Sequence, residues 1–149
     1  YVTKAGKVLY AGEGITPDIF VPYDTLTYDR NVMKLLMSGM LNEFVYRNYL
    51  EHQKQFDRYK NATDFNKNYT VEESTFKNLA EMVKKDSIHL TLNNPSEKAQ
   101  ISRQIKSLTA RQIWRTEGFF EIHNTYDDVV KKAVELLQPK KEVTTTSRK

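Results

Sequence analysis

The chain has 149 residues, 39% hydrophobic and 28% charged, the makeup expected of one ordinary soluble domain long enough to bury a core. No apolar run approaches the roughly 20 residues needed to cross a bilayer, and the absence of cysteine excludes disulfides and thiolate metal sites. The net charge of +4 does not make a nucleic-acid footprint, because Lys140, Lys141, Arg148 and Lys149, against Glu142, sit in a polar, threonine-rich end rather than on a folded face.

The first 22 residues read as β. Tyr1 to Thr3 is short and extended, Ala5-Gly6-Lys7 suits a turn, and Val8, Leu9 and Tyr10 form a return strand. Ile19, Phe20 and Val21 make another short strand, stopped by Pro22. An isolated hairpin is marginal, so these strands need a sheet partner or a helix over them. Tyr1 stands first instead of Met and no signal peptide is visible, so a native start is expected upstream.

The rest reads as helix. A long segment from Asp29 to Tyr59 carries Val32, Leu36, Met40 and Phe44 at spacings of four, with Leu41, Val45 and Tyr49 on the next row. Gly39 in its middle marks a close packing contact or a break. Residues 60–69 are polar and asparagine-rich and read as a loop. Thr70-Val71-Glu72-Glu73 matches a capping box, with Phe76, Leu79, Ala80 and Val83 forming the apolar face behind it. Asn94-Pro95-Ser96-Glu97 is a second start, with proline at the first helical position. Ile101, Ile105 and Leu108 follow on one face, the stripe drifts to Ile113 and Trp114, and Gly118 is expected to end the helix. Thr125-Tyr126-Asp127-Asp128 opens the last helix, whose Val129, Val130, Ala133, Val134 and Leu137 supply a buried stripe before the Pro139 stop. The stripes Ile101/Ile105/Leu108 and Val130/Val134/Leu137 are expected to face a common core. The predicted fold class is mainly α: a bundle of about four helices with a short N-terminal β-hairpin. Its parts are residues 1–22, a helical region 23–138 and a disordered basic tail 139–149.

Candidate chemistry is thin. Gly12-Glu13-Gly14 lacks the Gly-Lys-Ser/Thr of a phosphate loop and precedes Pro17 and a strand, so its glycines read as tight backbone turns. His52, His89 and His123 are far apart, with no His-Glu-x-x-His pair, and no metal or cofactor is implied. Ser102 and Lys106, four apart on a helix, have the types of a nucleophile and base but no glycine-rich turn for an oxyanion hole. Glu72/Glu73 and Asp127/Asp128 fall in first helical turns, where negative charge complements the helix dipole. Trp114, Phe119, Phe120 and Tyr126 read as core at a helix corner. Asn61-Ala62-Thr63 and Asn68-Tyr69-Thr70 match the glycosylation sequon, a triplet common by chance. No catalytic residue is assigned.

The opening stretch YVTKAGKVLYAGEGITPDIFVP carries one specific pattern. It resembles the end of the catalytic domain of C-terminal processing peptidases (tail-specific proteases), which carry T-x-x-G-R-x-[IV]-x-G-x-G-I-x-P-D-x-x-V. Thr3, Gly6, Gly12, Gly14, Ile15, Pro17, Asp18 and Val21 fall on it, and Gly14-Ile15-Thr16-Pro17-Asp18 is its most specific part. Lys7 stands where arginine is usual. Ile105 to Leu137, with ARQIWRTEGFFEIHN and then D-x-x-V-x-x-A-x-x-L-L, is similar to the helical C-terminal extension of one bacterial branch of that family. The resemblance implies a parent that cleaves proteins, often near their C-termini, with a serine nucleophile and a lysine base, often guided by a PDZ domain. Both catalytic residues would lie upstream, so none is carried onto this chain, and Gly6, Gly12, Gly14, Ile15, Thr16, Pro17 and Asp18 are structural motif positions. The implied partners are the upstream peptidase domain and protein or peptide substrates, not nucleic acid, and the implied location is the bacterial cell envelope or periplasm. The alternative is a stand-alone helical interaction module. A longer reading frame with a glycine-flanked serine and a later lysine separates the two.

Overall fold

A computed structural model describes residues 4, 6, 19–22 and 29–138. Seven helices occur among them: α1 (Arg30–Met37), α2 (Met40–Glu51), α3 (Gln53–Phe56), α4 (Ala62–Asn68), α5 (Glu73–Lys84), α6 (Pro95–His123) and α7 (Asp128–Leu137). The mainly α class is seen. The expected count of four helices is too low, and no strand occurs among the described residues. Two of the expected strands, Tyr1–Thr3 and Val8–Tyr10, lie outside those residues, as does the tail 139–149. Ile19 to Val21 is described and has no strand pairing; a strand needs a neighbouring edge, and the described residues offer none.

The expected helix from Asp29 to Tyr59 is three helices. Asp29 caps α1 by accepting a hydrogen bond from the Asn31 N–H at 2.7 Å. The chain then turns at Ser38 and Gly39. Gly39 takes φ +76°, a left-handed conformation that side chains with a Cβ resist, and becomes the N-cap of α2. A second interruption at His52 separates α2 from α3.

Residues 60–69, expected as a loop, hold α4. Asn61 is its N-cap, accepting from the Asp64 N–H at 2.8 Å, and Asn68 donates back to the Asp64 carboxylate at 2.6 Å. The apolar residues Ala62, Phe65 and Tyr69 are buried, so this polar segment has a core-facing side. The capping box at Thr70 does not form: Glu72 is the N-cap of α5, and the Glu73 carboxylate reaches across to Lys98 of α6. The Asn94-Pro95 start is as expected, with Asn94 accepting from the Ser96 N–H at 2.9 Å.

The long helix α6 is the spine, and α2 and α4 pack along it. Ile101, Ile105, Ala110 and Ile122 of α6 are fully buried against Leu35, Val45, Phe65, Leu79 and Val83 from the surrounding helices. Gly118 does not end this helix. The break lies earlier, at Trp114 (φ −116°, ψ 18°) and Arg115 (φ 59°, ψ −151°), and helical geometry resumes beyond it. The bend brings Gly118 so close to the preceding turn that an added Cβ would sit 2.7 Å from Trp114 Cβ and 2.9 Å from the Ala110 carbonyl oxygen. Glycine is needed there for room, not for a stop.

The expected pairing of α6 with the last helix over a shared core is not formed. Asp127 caps α7 through the N–H groups of Val129 and Val130, at 2.8 and 3.0 Å. Yet no residue of α7 is buried, and Leu137 is 84% exposed. Amphipathic spacing says that a face wants cover; it does not say that this chain supplies it.

Candidate functional site

Of the motif positions, Gly12, Gly14, Ile15, Thr16, Pro17 and Asp18 lie outside the described residues. Gly6 is described, exposed and left-handed at φ +78°. Immediately after the motif, Ile19, Phe20, Val21 and Pro22 face α7 across a cleft of about 330 Å³ whose other wall is Asp128, Lys131, Lys132 and Glu135. Those four residues, spaced three, four and seven apart, are the polar side of α7. They are paired along the helix, Lys131 with Asp128 at 2.8 Å and Lys132 with Glu135 at 2.9 Å. The Lys131 ammonium holds the Asp128 carboxyl below its usual range. The apolar residues Val129, Val134, Leu136 and Leu137 are exposed, as are Ile19 and Phe20. The N-terminal segment therefore meets the charged side of α7, and the greasy side is open.

The structure separates the remaining candidates. Lys106 donates to the Asn66 carbonyl at 2.7 Å, and burial lowers its pKa. Asn66 lies in the last turn of α4, so this cation sits where the helix dipole is negative. No hydrogen bond joins Lys106 to Ser102 among the described residues, and the two do not form a nucleophile and its base. The Asn66 side chain accepts from the Tyr126 hydroxyl at 3.0 Å, and the Arg103 guanidinium lies 5.0 Å from the centre of the Tyr126 ring. Thr63 donates to the Glu121 carboxylate. These polar links tie α4 to α6 and to the chain entering α7. They are fastenings, not chemistry.

The carboxylate pairs are also occupied. Glu72 and Asp127 are N-caps. The hydrogen bond from Lys98 holds the Glu73 carboxyl below its usual range. His52 Nδ1 lies 2.9 Å from the Asn48 carbonyl, and His123 stacks on Phe119 at 5.1 Å. No group of three or more His, Cys, Asp or Glu among the described residues could hold a metal ion. No helix among them is long and apolar enough to cross a membrane.

The aromatic cluster expected around Trp114, Phe119, Phe120 and Tyr126 is centred elsewhere. Phe65 is its hub: Tyr69 stacks on it at 4.6 Å, with Tyr59 at 5.2 Å, Trp114 at 5.8 Å and Phe56 at 6.1 Å. Burial, and then the nearby Tyr59 and Glu72, push the Tyr69 hydroxyl pKa up to about 12. Phe120 is half-exposed and pairs only with Phe119 among these rings. The cluster is packing.

One surface escaped the reading of the sequence. Arg30, Met33, Lys34 and Met37 form the outer stripe of α1 and line a groove of about 650 Å³ with Met40 and the connection Asp86-Ser87-Ile88. The spacing of three, four and seven was visible. Methionines at helical spacing carry no residue-type signal that separates an outer face from a core-facing one.

A model of a family of unknown function, DUF8443, matches residues 31–115, from the first turn of α1 to the break in α6. That is more than half of the chain, and the chain belongs to this family. No curated protein matches it. No solved structure matches it.

Proposed function

We propose that this member of the DUF8443 family is the non-catalytic helical extension of a carboxyl-terminal processing serine peptidase. In this reading residues 1–22 are the last strands of the peptidase core, and residues 23–138 cover that core, shape the path of protein substrates or support assembly. The parent enzyme works in the bacterial envelope or periplasm with an upstream serine and lysine. The observation that carries the proposal is the open face of α7. Val129, Val134, Leu136 and Leu137 are exposed on the side of α7 opposite the charged residues that meet Ile19 to Pro22, the segment that directly follows Gly14-Ile15-Thr16-Pro17-Asp18. An exposed apolar face of this kind marks an interface, and an upstream domain joined to the chain before Ile19 is the body proposed to cover it.

The test has two arms. The chain by itself should not hydrolyse unfolded casein, and activity abolished by Ser102→Ala would defeat the proposal. In the longer polypeptide that carries a peptidase core, Val134→Asp with Leu137→Asp should lower the melting temperature and the rate of substrate cleavage. Unchanged values for both would remove the covering role. A reading frame with no glycine-flanked serine and later lysine upstream would leave the second reading, a stand-alone interaction module. The methionine-lined groove on α1 is the feature that favours that reading.

A further inference from the structure

The geometry points to the groove between α1 and the α5–α6 connection as a docking site for a peptide segment that carries both apolar side chains and carboxylates. It starts from the sequence RNVMKLLM. Val32 and Leu35 turn inward and are fully buried, so Arg30, Met33, Lys34 and Met37 must share the outer face. The turn at Gly39 then brings Met40 to the same groove. The facing wall is held in place. The His89 N–H donates to the Asn31 side chain at 3.4 Å, which ties the connection to α1. Ser87 sits at φ +59°, a conformation costly for a residue with a Cβ and one that clusters at functional sites.

The lining chemistry selects the occupant. Met37 is 82% exposed, and three methionines around one groove form an unbranched, polarizable surface that adapts to different apolar side chains. Some cations elsewhere on this surface are paired with carboxylates, as in Glu43–Arg47, Asp128–Lys131 and Lys132–Glu135, and others, such as Lys54, Lys77 and Arg111, have no ion pair among the described residues. Arg30 and Lys34 make no ion pair among the described residues, and Asp86 is the one carboxylate among those residues that lines the groove. Lys84 and Lys85, both exposed, directly precede it. Two cations one turn apart, with no ion pair among the described residues, beside three methionines complement a segment in which acidic and apolar residues alternate. Among the described residues no aromatic ring lines the groove, so they offer no stacking platform of the kind a single-stranded nucleic-acid site uses. The volume lies within the roughly 300–1,000 Å³ of ligand sites. The site stands whether or not a peptidase core precedes the chain.

The experiment is fluorescence anisotropy of the whole chain against labelled peptides of alternating leucine and glutamate, with a leucine–lysine peptide as counterpart. The glutamate peptide should bind, and the lysine peptide should bind at least about tenfold more weakly. Arg30→Glu with Lys34→Glu should weaken the glutamate peptide by about tenfold or more, while Lys131→Glu on α7 should leave it unchanged. Met33→Ser with Met37→Ser should also weaken it, with circular dichroism unchanged in every variant. Equal affinity for the two peptides, or indifference to reversal of Arg30 and Lys34, overturns the proposal. So does binding of phosphatidylserine vesicles through those two residues without binding of either peptide, which would assign the cations to a lipid surface.

Discussion

Replacing Phe65 by alanine should damage this fold more than any change on α7. Phe65 is fully buried on a seven-residue helix that has little stability of its own. Its ring meets Tyr69, Tyr59, Trp114 and Phe56 at centroid distances between 4.6 and 6.1 Å. Truncating a core phenylalanine costs about 3–5 kcal/mol through lost transfer energy and the cavity left behind. Four aromatic neighbours place this site at the upper end, because each loses a ring contact worth about 0.5–1.5 kcal/mol, although such terms do not simply add. Against a total stability of about 5–15 kcal/mol, Phe65→Ala should lose about 4–5 kcal/mol. The assay is urea denaturation followed by the fluorescence of Trp114, the only tryptophan in the chain, whose ring is 5.8 Å from Phe65. Leu137→Ala, at a position 84% exposed, is the control and should change stability by less than about 0.5 kcal/mol. A Phe65→Ala loss below about 1 kcal/mol would mean that α4 does not hold the core together. A Leu137→Ala loss above about 2 kcal/mol would mean that α7 finds its cover within this chain.

Gly118→Ala should cost about 1–3 kcal/mol in the same melts, because the new methyl group meets backbone at the Ala110 carbonyl and has nowhere to move. Gly39→Ala meets no neighbour but is left in a left-handed conformation, and should cost about 1 kcal/mol while keeping both flanking helices by circular dichroism. Burial raises the Tyr69 pKa from 10.0 to about 12, so the folded state keeps a proton there that the unfolded chain releases. That contribution is complete below pH 10 and is lost as pH rises towards about 12, so stability should fall less steeply for Tyr69→Phe, by about 2 kcal/mol at the upper end. Parallel alkaline curves for the two proteins would show that Tyr69 is hydrated.

Local signals in this sequence were legible where a cap, a proline and an apolar stripe agreed. Asn94-Pro95 starts α6 as read, and Ile101, Ile105 and Leu108 are buried as read. The helix α4 was missed because asparagine and lysine dominate residues 60–69 and argue against helix by propensity. The counter-signal was present: Ala62, Phe65 and Tyr69 at spacings of three and four, behind an Asn61 cap. Tertiary packing around Phe65 overrode the propensity. The break at Trp114 and Arg115 has no signature in residue type, since both are ordinary helix residues. Only its consequence, the glycine at 118, was visible, and it was read as a stop.

The last helix shows the limit of periodicity as a guide. The helix was expected from the stretch Thr125 to Asp128 and from the apolar spacing; its N-cap is Asp127, which the sequence reading placed in the first helical turn. Burial did not follow, because periodicity describes one helix while burial is a relation between two surfaces. An apolar stripe on a surface helix with nothing beneath it costs free energy through its exposure to water. Here the charged residues of the helix face Ile19, Phe20, Val21 and Pro22, where the chain arrives from the glycine-rich motif, while the apolar stripe of the same helix is open. Were α7 a solvent-facing helix of a self-contained domain, those two sides would be exchanged. Their orientation is what a helix needs when its apolar contacts are made with a larger body, and it favours a covering role over a self-contained module.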